Sequence, residues 1–231
     1  MLFRSEVALE LMPGNKIRKY DTWHAMGQGA TTGSLVVTLE ALKEMHLTPE
    51  DIQLIQNDTK TCPDTGMAGA SRSLYMDGNA TIIAANKLLA AMRKEDGTLR
   101  TYDEMKAEGI ETKYLGRYET NTTPGLCRLD PNTGIGDPTP AFTYCLNLAE
   151  VEVDTKTGKT TVLKFTCVDF VGRIGNIDAV NGQAYSGIMH GIGFALKEDY
   201  ADVKKHANMF GAGTSYIKDV PDDINRNILD V

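Results

Sequence analysis

No stretch of this chain is apolar for long enough to span a bilayer, and its first residues hold no apolar signal-peptide core. Its four cysteines, Cys62, Cys127, Cys145 and Cys167, include no Cys-x-x-Cys pair and match no zinc or iron–sulfur spacing. Any iron–sulfur centre therefore has to lie elsewhere, and scattered thiols point to a reducing compartment. The four histidines, His24, His46, His190 and His206, show no clustered ligand spacing, so no metal site with protein ligands is expected. Positive charge is scarce. Lysine and arginine number 24 against 31 acidic residues, a formal net charge of −7, which argues against general affinity for nucleic acid or anionic membranes. These absences together lead us to expect a soluble, cytoplasmic protein with neither nucleic acid nor membrane as partner.

What is present supports a core. The 231 residues, 42% of them apolar, fit one large domain or two small ones. Val7, Leu9 and Leu11 alternate, Pro13-Gly14-Asn15 reads as a turn, and a second strand runs toward Trp23. Leu35, Val36, Leu39, Leu42 and Met45 recur at helical spacing, which predicts an amphipathic helix. Thr48-Pro49-Glu50-Asp51 resembles a helix cap but leads into a short strand, Ile52 to Gln56. A loop rich in Asp, Thr, Gly and Pro follows, and Ser71 reads as the start of a long helix reaching Met92. Thr101 and Glu104 form a capping-box pattern. The segment from Lys113 to Pro140 reads as irregular, with a short strand near Tyr114 to Tyr118. A second hairpin turns at Thr155-Lys156-Thr157-Gly158. After it come a glycine-bearing loop and a helix from Ala184 to Tyr200, and the closing Asn227 to Val231 looks like a strand beginning.

The order hairpin, Gly-Gln turn, helix therefore occurs twice, with Gly27-Gln28 opening one unit and Gly182-Gln183 the other. Strands grouped as hairpins argue for an α+β fold and against a doubly wound parallel sheet.

Glycine just before a helix lets an anion approach the unsatisfied backbone amides and the positive end of the dipole. Gly27-Gln28-Gly29 fits that use. So does Gly69-Ala70-Ser71-Arg72, which adds a hydroxyl and a guanidinium, and the loop before Gln183 is a third candidate. Each has a plainer reading. Glycines make turns, Ser71 caps a helix, and Arg72 pairs at the surface. Gly187, Gly191 and Gly193 allow close helix packing, and His190 packs in a core. Asp58, Asp64, Asp77, Asp169 and Asp178 serve turns and caps. No Ser-His-Asp, Cys-His or paired-carboxylate arrangement stands out. From the residues alone, three loops could converge on one polyanionic, phosphate-bearing ligand, with no reaction named.

The segment Gly27 to Ala80, with its Gly-Gln-Gly, its Asp-Thr before a Pro-containing loop, its Ser-Arg and its Gly-Asn-Ala in that order, resembles the large molybdopterin-binding subunit of the molybdenum hydroxylases, the xanthine oxidase family. Asn181 to Tyr200 resembles that family's later segment, a Gly-Gln followed by a glycine-rich helix ending in glutamate. Lys204 to Asp222 is similar to the flavin-lacking aldehyde oxidoreductases. The resemblance covers nearly the whole chain. It implies an α+β molybdenum cofactor-binding fold with repeated hairpin–helix units and mixed sheets. The first lobe is 1–135, with the Gly-Gln-Gly and Ser-Arg loops. The second is 136–231, a hairpin plus Gly-Gln helix, truncated at its C-terminus.

The resemblance also assigns roles. Gly27, Gln28 and Gly29 would lie against the pterin, with Met26 where relatives carry a histidine. Ala68, Gly69, Ala70, Ser71, Arg72 and Ser73 would wrap the pterin and dinucleotide phosphates. Gly175, Asn176, Ile177 and Asp178 would form a third loop, and Gln183 and Gly187 would reach the cofactor from the last helix. The implied cofactor is molybdopterin cytosine dinucleotide with molybdenum, and the implied partners are the rest of the molybdenum subunit, domains with 2Fe-2S clusters and an aldehyde substrate, in an enzyme expected to be a homodimer. In the family a glutamate in a Gly-Glu motif is the base for hydroxylation with water-derived oxygen. The last glutamate here is Glu198, and nothing after it matches. A C-terminal fragment that is inactive alone is therefore expected. A non-catalytic assembly module and an N-heterocycle hydroxylase are the alternatives.

Overall fold

The computed structural model describes residues 4–69, 72–119, 130–136, 142–196, 198–199 and 216–217. The chain divides into two units, Met1–Ala141 and Phe142–Val231.

In the first unit, β1 (Arg4–Met12) turns through Pro13–Asn15, with Gly14 and Asn15 at positive φ, into β2 (Lys16–Asp21). This is the expected hairpin. The chain then forms α1 (Ala30–Ala41) and returns as β3 (Ile52–Gln56), which pairs parallel with β2. After α2 (Ser73–Met92) and the short α3 (Tyr102–Ala107), β4 (Lys113–Glu119) pairs antiparallel with β1. The sheet order is β3-β2-β1-β4. It is a mixed sheet, and no barrel forms among the described residues.

Alternation decides which face is covered. Pairing of Leu9 with Lys19 and of Leu11 with Ile17 puts Leu9, Leu11, Ile17, Lys19 and Asp21 on one face. Pairing with β3 adds Ile52, Leu54 and Gln56. The α2 stripe of Ala84, Ala85, Leu88, Leu89 and Met92 packs there with Leu42 and Met105, forming the apolar core. Small residues let α2 come close. A Cβ added to Gly116 on β4 would lie 2.0 Å from the Ala80 carbonyl oxygen and 2.6 Å from the Ala84 nitrogen.

Two expectations for this unit need correction. The buried positions of α1 are Ala30, Ser34 and Thr38, a small and hydroxylated stripe. The expected apolar residues do meet the core, Leu42 fully buried in it and Leu35, Leu39 and Met45 packed partly buried against it, but Met45 sits in a separate turn beyond the helix end. The stripe can be polar because Ser34 and Thr38 both have partners: Ser34 donates to Asp21 and Thr38 to the Ser34 carbonyl. The long helix begins at Ser73 with Arg72 as its cap residue, and Ser71 lies outside the described residues.

The second unit contains the expected hairpin, β5 (Tyr144–Val153) and β6 (Thr160–Phe170), and α4 (Ile177–Leu196). A two-residue pair, β7 (Glu198–Asp199) with β8 (Tyr216–Ile217), follows. Gly182-Gln183 is not a turn. The helix starts earlier, at Ile177, because the Asn176 side-chain oxygen accepts the Ala179 amide and Asp178 sits in the first turn. It also stops at Leu196, before Tyr200. His190 is exposed and packs in no core. A Cβ at Gly187 or Gly191 would meet open space, so these glycines do not serve close packing, while Gly193 is buried. The strand expected near the C-terminal valine lies outside the described residues.

Two outcomes follow. Gly116→Ala should cost at least about 2 kcal/mol, read as a lower urea midpoint, because the new methyl meets helix backbone that cannot yield cheaply. The second concerns acid. The Lys94 ammonium, followed by the Thr101 amide and hydroxyl, lowers the Glu104 carboxyl to about 2 from an ordinary 4.5. A lowered carboxylate contributes stability above 4.5 and loses it as pH falls toward 2. Urea midpoints of Glu104→Gln should therefore vary less than the parent's across that window.

Candidate functional site

The core changes character along the sheet. Below Leu9 it is apolar, while at the end where β2 and β3 finish it is polar and fully buried: Ser5, Lys19, Asp21, Ser34, Thr38, Asp77 and Thr81. The Lys19 ammonium lies 2.8 Å from Asp77 and 3.3 Å from Asp21. Asp21 also accepts from Ser34 at 2.6 Å, from the Gln56 amide at 2.8 Å and from the Trp23 backbone at 3.3 Å. Burial and the neighbouring Asp21 charge push the Asp77 carboxyl above its ordinary range, against the opposing pull of Lys19.

Both candidate loops of this unit leave this same edge. Residues 22–29 run from β2 to α1, and residues 57–72 from β3 to α2. The start of the first is stitched to the middle of the second. The Thr22 amide donates to the Thr65 hydroxyl at 2.7 Å, and the Thr65 amide to the Thr22 hydroxyl at 3.0 Å. The Asn57 amide donates to the Asp21 carbonyl at 3.1 Å. Thr65 and Asp64 also bond the Glu6 backbone on β1.

The glycines in the first loop have separate jobs. Gly27 and Gly29 adopt φ of 101° and 84°, which other residues rarely tolerate. A Cβ on Gly27 would meet nothing, so its stretch of backbone faces open space. Beyond the loop, Gly33 within α1 makes room for Trp23, whose ring a Cβ would approach to 3.2 Å. Gln28 folds onto its own loop, accepting from the Met26 amide and donating to the His24 carbonyl. Met26 is exposed, as is Met67 on the second loop.

On that second loop the Arg72 guanidinium holds the Met67 carbonyl through two nitrogens at 2.9 and 2.8 Å. It closes a turn over Ala68 and Gly69, and Ser73 opens α2. Ala70 and Ser71 lie outside the described residues. The cap residues of the two helices are Gly29 and Arg72, and neither makes a side-chain cap bond. The indole nitrogen of Trp23, at the entry of the first loop, is buried with no hydrogen-bond partner. An uncapped start of α1, a glycine cradle and an orphaned donor fit a polar, anionic guest.

The third candidate loop belongs to the second unit. Gly175 and Asp178 are exposed there, Asn176 caps α4, Ile177 begins it, and Gln183 and Gly187 are exposed within it. Among the described residues no group of three His, Cys, Asp or Glu could hold a metal ion, and no helix is long and apolar enough to cross a membrane. Cys62, Cys145 and Cys167 are free thiols.

Asp58 and Asp64 shape the second loop as turn residues, as expected. Asp77 serves neither a turn nor a cap: it is the fully buried fifth residue of α2, while Lys19, Asp21, Thr22 and Thr65 were missed. The usable signal was the phase of β2, where Lys19 and Asp21 share the inward face with Ile17.

The model of a molybdopterin cofactor-binding domain matches residues 3–221. Aldehyde oxidoreductase of Megalodesulfovibrio gigas is 40% identical over 96% of this chain and 24% of its own length. Xanthine dehydrogenase of Dictyostelium discoideum is 26% identical over 88% of this chain and 16% of its own. The crystal structure of the aldehyde oxidoreductase from Desulfovibrio desulfuricans superposes with a TM-score of 0.81 at 43% identity, over 95% of this chain and 24% of that one. The chain thus spans about a quarter of the length of the aldehyde oxidoreductases it matches.

Thr65→Val keeps the shape of the side chain but removes the acceptor of the Thr22 amide. We expect a loss of about 1–3 kcal/mol in urea unfolding, with faster proteolytic cleavage in the two loops.

Proposed function

The chain belongs to the molybdopterin cofactor-binding domain family, and from that membership we propose that it is the pterin-holding part of an aldehyde oxidoreductase that converts aldehydes to carboxylic acids. One observation carries the reading: two glycine-bearing loops leave the same end of the sheet, stitched by Thr22 and Thr65, and each leads into a helix start.

In this reading Gly27, Gln28 and Gly29 lie against the pterin, with Gln28 spent on loop shape and the main chain left to make the contacts. Exposed Met26, beside that turn, would stand near the cofactor. Ala68 to Ser73 wrap the phosphate end, where the α2 dipole favours negative charge. Arg72 sets that loop's curvature by holding Met67. The second unit's candidate contributions are Gly175 and the cap Asn176, Ile177 and Asp178 in the first turn of α4, and Gln183 and Gly187 further along that helix. The cofactor is the cytosine dinucleotide form. When bound, its molybdenum centre supplies the two-electron oxidation. The residues here bind and orient it. Other domains of such an enzyme would hold 2Fe-2S clusters to accept the electrons, and the catalytic base would lie outside the residues assigned here. Identity of 40% to an aldehyde oxidoreductase against 26% to a xanthine dehydrogenase favours aldehydes over N-heterocycles as substrates.

The test is Gly29→Val, made in the complete molybdenum subunit. A branched side chain at φ 84° strains the loop by about 1–3 kcal/mol. Pterin and molybdenum content per subunit should fall roughly tenfold, with the far-UV circular dichroism unchanged. Full cofactor content would overturn the reading.

A further inference from the structure

Lys19 is fully buried on β2, between Asp77 of α2 and Asp21 of its own strand. Asp21 extends the chain of contacts to Ser34 of α1 and to Gln56 at the end of β3. Ser34 is the fifth residue of α1, and Asp77 is the fifth residue of α2. The cluster therefore grips both helices at one depth, about a turn below the loops that open them.

Stability alone does not explain an ammonium here. Apolar side chains of similar volume hold a sheet and helix together as well or better, because they avoid desolvating charge. Leu9 and Leu54, directly opposite Lys19 on the neighbouring strands, and Ile17 in the next row do so. What the ammonium adds is direction, since charge-assisted bonds are short and angularly demanding. Its partners also lie on elements that no sequence-local contact joins: Lys19 and Asp77 are 58 residues apart, and Asp21 and Gln56 are 35 apart.

We infer that Lys19 is a positioning residue: through Asp21 and Asp77 it fixes loop 22–29 against loop 57–72, and so sets the cradle that receives the cofactor. This rests on the cofactor reading above. Lys19 touches no ligand itself. Its effect reaches the site through the starts of α1 and α2.

The double variant Lys19→Met with Asp77→Asn removes one charge of each sign, so the net charge of the cluster is kept. Asp21 retains three neutral donors, Ser34, Gln56 and the Trp23 amide. In the full chain we expect a urea midpoint near the parent's. Amide hydrogen exchange should quicken by about tenfold or more in 22–29 and 57–69, but not in β1 or the second half of α2. In the complete molybdenum subunit, pterin content should fall about fivefold or more. Unchanged exchange in the loops overturns the proposal, as does an even quickening over the whole unit. Loosened loops with full pterin content overturn it too. Gly29→Val then decides separately whether the cofactor reading survives, because it strikes the loop directly. Should the double variant not fold, Ser34→Ala removes only the α1 arm. It should loosen 22–29 and leave 57–69 at the parent's rate, and an equal effect on both loops would overturn the proposal.

Discussion

A single buried ammonium organises the first unit. Lys19 and its two carboxylates sit in a layer without solvent, where an unpaired charge would cost several kcal/mol and an imperfectly paired one scarcely less. That penalty makes the arrangement selective. Any slip of β2 against its neighbours by one residue would turn Lys19 and Asp21 to the opposite face and Tyr20 inward. Any rotation of α2 would withdraw Asp77. The apolar rows beneath tolerate small shifts because dispersion is not directional, but the polar layer does not. Register is therefore fixed at the end of the sheet where the loops depart.

The two ends of the unit thus have different duties. Leu88, Leu89, Met92 and Met105 close the core far from the loops, and the capping box of Thr101 and Glu104 finishes it. At the other end, side-chain hydroxyls, amides and carboxyls replace hydrocarbon, and the loops are held by hydrogen bonds more than by burial. The second unit has no comparable core among its described residues. Tyr144, Leu146, Val168 and Phe170 on the hairpin are each about two-thirds exposed, and the buried residue of α4 is Gly193. A two-stranded hairpin has little stability of its own.

The local features were the legible ones. Alternation in β1, the Pro13-Gly14-Asn15 turn, the strand Ile52 to Gln56 and the Thr101 capping box each follow from neighbours in sequence. The start of α4 was misplaced because Gly182-Gln183 looks like a turn, while the Asn176 cap that governs the helix is a weaker pattern. The deepest positions of α1 were not legible because Leu35 and Leu39, which do pack against the core, outweigh Ser34 and Thr38 on any apolar scale. Only the partner Asp21, across a parallel crossover, makes those hydroxyls suitable for burial. The glycine loops were found from composition alone. That two of them share an edge required the parallel pairing of β2 with β3, which no local pattern encodes.

The loop chemistry follows from how its side chains are occupied. Gln28 spends both ends of its amide inside the turn, and Arg72 spends two nitrogens on the Met67 carbonyl. The residues that looked most like ligand contacts in sequence are thus the ones that build the loops. A site built this way presents main-chain amides, and main-chain amides cannot adapt to a guest by changing rotamer. Their usefulness depends on where the backbone is held. For loops with few buried apolar contacts, that placement comes from the layer beneath them, where Asp21 and Asp77 meet at Lys19.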